Sequence, residues 1–233
     1  MINHIIKINK IMMSKEIRQD IDEVKSFNQF VNENSEFTGK EIESIFDSTK
    51  KYISENNKTD NHYHNNKHMV DVFNNSMTLF NEYKKEYELK SRDKLCLGLA
   101  ALFHDFGHSG GKLKDDENIE IALKELKIYL DTINKSDLYG NIEKIINATE
   151  FPHKDINLDI LQKIIRDADT MGGITGDWIS VVKSLAKEYN KSFDEFIPTQ
   201  IKFIETAKYN TDYCNELLKN NKEEIISELK KMI

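Results

Sequence analysis

The chain has 233 residues, enough for one well-buried domain without requiring two. Its formal net charge of −7, from 33 Lys and Arg against 40 Asp and Glu, argues against a nucleic-acid polymer as partner, because such binding rests on many basic contacts to phosphates. A small phosphate ester stays possible, since a bound cation supplies positive charge locally.

Two cysteines, Cys96 and Cys214, are too few for a disulfide framework. No run is long enough to span a bilayer, and polar residues interrupt the N-terminal stretch too often for a signal-peptide core. A soluble cytoplasmic protein without a membrane partner is expected. With 2 prolines and 9 glycines the chain has few breaks, which favours long helices.

Residues 1–35 are expected to form a peripheral helical arm, and 36–233 a single all-α domain. Thr38 with Glu41 matches a capping box before a helical pattern. The Asn-rich stretch from Asn56 to Asn61 reads as a loop. His64 and His68 follow, four apart, so a helix beginning here puts them on one face. Leu95 to Phe106 is apolar nearly all round, the mark of a central buried helix, and His104-Asp105 stands at its polar end. Gly107 to Asp116 reads as a second loop. Leu138, Ile142, Ile145, Ile146 and Thr149 form one helical stripe, and Leu158, Leu161, Ile165 and Ala168 another. Between them His153, beside Pro152, reads as a surface turn. Ser192 with Glu195 opens a later helix that carries Gln200 and Phe203.

Five of the seven histidines lie between positions 62 and 108. Taken singly, a histidine or aspartate at a helix end is usually no more than a hydrogen-bonded or solvated group. Here three helix ends of one all-α chain carry such groups together: His68, then His104 with Asp105, then Asp169. Imidazoles and carboxylates set in apolar helices are costly to bury unless something satisfies them, and a divalent cation satisfies all four at once. Two imidazoles and two carboxylates suit zinc, iron or manganese, while spare carboxylate and water oxygens suit magnesium or manganese.

Two segments carry a resemblance. Tyr63-His64-Asn65-x-x-His68, followed by Val70-Asp71-Val72, is similar to the signature of the class I cyclic-nucleotide phosphodiesterases, and so is Ala101-Leu102-Phe103-His104-Asp105-x-x-His108-x-Gly110. These belong to the HD superfamily, whose defining pattern is His, then His-Asp, then Asp. Ala168-Asp169 resembles the dipeptide that supplies the final ligand, and Ala148-Thr149-Glu150 resembles the family's Ala-Thr-Asp. Pro198-Thr199-Gln200-x-x-Phe203-Ile204 resembles the segment whose glutamine and phenylalanine hold the purine. The chain departs from the family in being shorter, chiefly between Asp105 and Gln200. It also has Thr170-Met171-Gly172 where the family has Leu-Ser-Asn, and so lacks the asparagine that helps orient the base.

The resemblance implies a compact HD-type bundle with a dinuclear site: zinc, manganese or iron at the tight position, and magnesium or manganese at the second. His68, His104, Asp105 and Asp169 are the implied ligands, with Asp105 shared between the ions. Hydroxide bridging the metals would attack phosphorus, and His64 would protonate the leaving alkoxide. Asn65 and His108 are expected to orient ligands, although Asn65 is nearly as well read as a plain helix cap. Thr149 and Glu150 are expected to hold metal-bound waters, with packing for Thr149 and solvation for Glu150 as an equal alternative. Tyr63, Gln200 and Phe203 are expected to contact the substrate, a small nucleotide. Two other functions fit the same residues: hydrolysis of nucleoside mono- or triphosphates, and a metal-stabilised module that senses a nucleotide without turnover. The second has no need of an acid such as His64.

Overall fold

The computed structural model describes residues 37–154 and 157–232. Among these the chain is helical throughout, with no strand: α1 (Gly39–Asn56), α2 (Asn66–Tyr83), α3 (Ser91–Phe103), α4 (Asp115–Thr132), α5 (Tyr139–Asn147), α6 (Ile160–Thr170), α7 (Trp178–Glu188), α8 (Phe193–Thr206) and α9 (Asp212–Lys231), with 3₁₀ turns at Ser136–Leu138 and Met171–Ile174. Lys40–Ile233 forms one compact unit. The expected arm of residues 1–35 lies outside the described residues. No described helix is long and apolar enough to cross a membrane.

The expected central helix is α3. Every residue from Leu95 to Phe103 is buried, as an all-round apolar sequence requires, and α2, α5 and α6 pack around it. Fully burying a leucine or phenylalanine side chain contributes about 1.5–3 kcal/mol, so this helix is the principal hydrophobic anchor. Gly98 permits the closest approach to α1: a Cβ there would stand 2.4 Å from Phe46 Cζ. The Phe46 ring fills that gap and meets Phe73 edge-on, with centroids 4.9 Å apart.

Helix boundaries differ from the periodic reading where the backbone must turn. α3 stops at Phe103, and the chain bends through His104 to Gly107, whose φ of +72° suits glycine. α6 starts at Ile160 because Asp159 caps it, so Leu158 is buried from outside the helix. Ser192 caps α8 as expected: its Oγ accepts from Glu195 N at 3.2 Å, and Glu195 Oε2 accepts from Ser192 N at 2.8 Å. Asp167 ties α6 to the start of α9. It is buried and accepts from Asn210 N, Asn210 Nδ2, Thr211 N and Thr211 Oγ1, all at 2.7–3.0 Å.

Candidate metal centre

His68 sits in the first turn of α2. Asn65 caps this helix, its Oδ1 accepting from Lys67 N at 2.9 Å and His68 N at 3.2 Å. Its amide donates back to Asn61 O at 3.0 Å and His62 O at 3.2 Å, so one side chain fixes both the helix start and the preceding loop. His64 therefore precedes the helix; the expectation that it shares a helical face with His68 is corrected. The two rings still come together, with centroids 5.8 Å apart and planes nearly perpendicular.

His104 follows the last residue of α3. Its Nδ1 donates to Ala101 O at 2.9 Å, because a carbonyl oxygen can only accept, and this leaves Nε2 as the nitrogen that could coordinate a cation. Asp105 comes next in the turn, and Asp169 reaches the same point from the end of α6. His68 Nε2 lies 3.0 Å from Asp169 Oδ1 and 3.3 Å from Asp105 Oδ2. His104 Nε2 lies 3.2 Å from Asp105 Oδ2 and 3.5 Å from Asp169 Oδ1. Donor atoms about 2.0–2.2 Å from a shared cation would stand about 3.0–3.5 Å apart, so the spacing fits a coordination shell. His104 Nε2 and Asp105 Oδ2 are also buried without a hydrogen-bond partner.

Electrostatics agree with that fit. Burial by itself would lower the His104 pKa, but Asp105 and Asp169 outweigh it and hold the imidazole well above its ordinary range. Burial would raise the Asp105 and Asp169 carboxyls, and the imidazoles overcome it in both. The carboxylates raise the pKa of both His68 and His104, so protons compete with metal there. Metal binding must displace them, so affinity rises with pH.

A second cluster adjoins the first. Glu188, the last residue of α7, accepts from Tyr63 N at 2.7 Å and His64 N at 3.0 Å, and its Oε1 makes a short contact with His64 Nδ1. Burial would raise its pKa, but the bonds from His64 and Tyr63 bring it down to about 2. His108 stacks on His64 with centroids 3.9 Å apart. Burial and the neighbouring His64 push its pKa down to about 4, and Gly110 N donates to its Nδ1 at 3.2 Å. Sequence reasoning missed Glu188 entirely. In α7 the apolar stripe is Trp178, Val182 and Ala186, and Glu188 falls off it in a stretch that reads as solvated.

The remaining residues sit as follows. Tyr63 packs against His68 with the rings tilted by 38° and centroids 4.4 Å apart. Thr149 is buried and donates to Ile146 O at 2.8 Å, while Glu150 pairs with Lys154 at 2.6 Å. His153, expected at the surface, is half-buried with an unpartnered Nε2, and burial lowers its pKa. Gln200 is 4% exposed and Phe203 is half-buried; both pack against Gly173, and Gln200 Nε2 has no partner.

Residues 63–114 match the family model described as 3'5'-cyclic nucleotide phosphodiesterase. Over this segment the chain is similar to the class I cyclic-nucleotide phosphodiesterases. The match contains His64, His68, His104, Asp105 and His108; Asp169, Glu188, Gln200 and Phe203 lie beyond it. Among solved structures, the crystal structure of Bacillus subtilis YpgQ in complex with ADP is similar, at a TM-score of 0.56 and 19% identity over 80% of this chain and 95% of that one. At that identity the likeness is one of fold. No curated protein matches the chain. The family match and the His/Asp groups together support a metal-dependent phosphohydrolase.

Proposed function

We propose that this chain hydrolyses a phosphodiester in a cyclic nucleotide or related small nucleotide, with His68, His104, Asp105 and Asp169 holding divalent metal and His64 acting as general acid. The observation that carries the reading is the adjacency of two differently built clusters. One is a set of imidazoles and carboxylates with orphaned donor atoms; beside it is an imidazole clamped to a buried carboxylate. The relationship over residues 63–114 supports the same reaction class.

Divalent metal held by His68, His104, Asp105 and Asp169 would supply Lewis acidity that activates water at neutral pH and offsets charge on the phosphoryl oxygens. The protein's own part is proton management. Glu188 accepts from His64 Nδ1, which orients the ring and leaves Nε2 as the nitrogen that delivers a proton to the leaving alkoxide. Asn65 and Glu188 together hold the loop on which His64 sits. A bare nucleotide sensor would need no such acid.

A second reading, hydrolysis of a linear nucleotide, is favoured by one observation: the structurally similar YpgQ was crystallised in complex with ADP. A substrate panel separates the two. Cyclic mononucleotides, cyclic dinucleotides, nucleoside mono-, di- and triphosphates and a chromogenic diester, each assayed with Mn²⁺, Mg²⁺ and Zn²⁺, should give the highest kcat/KM for a cyclic nucleotide. Turnover of linear nucleotides alone would favour the second reading, and no metal-dependent turnover of any substrate would contradict both.

A further inference from the structure

A groove runs from the metal centre between α2 and the segment from Gly172 to Ser184. It reaches the centre at His68 and Asp169, and Tyr63 lines it where that ring packs against His68. On the α2 side Val72 and Asn75 follow His68 at helical spacing, and on the α7 side stand Ser180, Val181 and Ser184. Gly172 forms part of the wall.

The groove has the chemistry of a nucleoside site. Tyr63, Val72 and Val181 give apolar faces against which a flat base or sugar packs. Ser180 and Ser184, one helical turn apart, present hydroxyls along one edge. Asn75 donates from Nδ2 to Ala168 O at 3.0 Å, which leaves its Oδ1 as an acceptor. The charges point the same way. Asp71 and Asp177 line the groove, and its one lysine, Lys67, is already paired with Asp71 at 2.6 Å. Such a groove repels further phosphates and accepts a neutral group. Gln200 does not line it.

Building on the phosphodiesterase reading above, we propose that this groove, and not the Gln200–Phe203 pair, receives the nucleoside of a substrate carrying a single phosphoryl group at the metal centre. Ser180, Ser184 and Asn75 then determine specificity.

The test fills the groove. Ser184→Trp and the milder double variant Ser180→Ala/Ser184→Ala are compared with the wild type. One readout is equilibrium binding of cyclic AMP and cyclic GMP by calorimetry; the other is kcat/KM for those nucleotides and for methyl p-nitrophenyl phosphate, a diester without a nucleoside. Ser184→Trp should weaken nucleotide binding and raise nucleotide KM by roughly tenfold or more, and the double variant severalfold. The small diester should change far less. Wild-type nucleotide binding and KM in either folded variant would overturn the proposal, as would an equal loss on the small diester. A nucleotide KM raised by Gln200→Ala and untouched by Ser184→Trp would overturn it too. Should Ser184→Trp fail to fold, the double variant decides. The two readings fail separately: a wild type that binds nucleotides through the groove but hydrolyses nothing contradicts the enzymatic reading alone, whereas hydrolysis untouched by groove filling contradicts the groove alone.

Discussion

His64 is bound to Glu188 through Nδ1, which leaves Nε2 for chemistry. If that nitrogen protonates the leaving group, His64→Ala should lower kcat by roughly 10²–10⁴-fold on a diester with an alkoxide leaving group, and much less on a nitrophenyl ester, whose leaving group needs no proton. Glu188→Gln keeps a hydrogen-bonding side chain but removes the charge, so a loss of roughly 10–100-fold with the same leaving-group preference is expected. Equal losses on both esters would argue against proton donation. His64 was legible because histidines four apart are an uncommon pattern. Its place before the helix was left open, because Asn65 read both as a ligand-orienting residue and as a plain helix cap, and the structure shows the cap. Glu188 left no trace, since its partners lie more than 120 residues away.

His108 gives a pH prediction at the same scale. Its folded pKa of about 4 lies below the ordinary imidazole value of 6.5. As pH falls below 6.5 the unfolded chain takes up this proton first, so the stability from keeping His108 neutral is present above 6.5 and lost between 6.5 and 4. His68 and His104 have raised pKa values and act in the opposite sense, so the effect must be isolated by difference. Urea unfolding of metal-free wild type and His108→Gln at pH 7 and pH 4.5 should show the wild type losing more stability, on the order of 2 kcal/mol. Parallel losses would contradict the assignment.

At the scale of elements, most helices could be read from apolar stripes and caps, because those signals are local. The ties between helices could not. Asp167 lies two residues before Asp169, and only the fold shows that it serves the loop before α9 while Asp169 turns to the candidate metal centre. Asp167→Ala would strand the amides of Asn210 and Thr211 and the Thr211 hydroxyl. Chemical denaturation should register a loss of about 2–4 kcal/mol. A loss below 0.5 kcal/mol would mean that water replaces the carboxylate freely.

Across the whole molecule, the candidate metal centre draws one group from α2, two from the turn after α3 and one from α6, helices that pack on each other around the most apolar segment of the chain. Its convergence was visible in the sequence because polar, metal-binding residue types at the ends of apolar helices are costly without a common partner. The route of the substrate was less visible: the groove is shaped by side chains from two helices more than 100 residues apart, and no local pattern announces it.

The central claim is that metal held by these four residues drives hydrolysis. The most direct measurement is metal content and turnover of purified Asp105→Asn beside the wild type, after both are stripped with chelator and reloaded with Mn²⁺ or Zn²⁺. The wild type should bind metal and hydrolyse a phosphodiester, and the variant should lose both with its helical content unchanged. Full turnover by metal-free Asp105→Asn would contradict it.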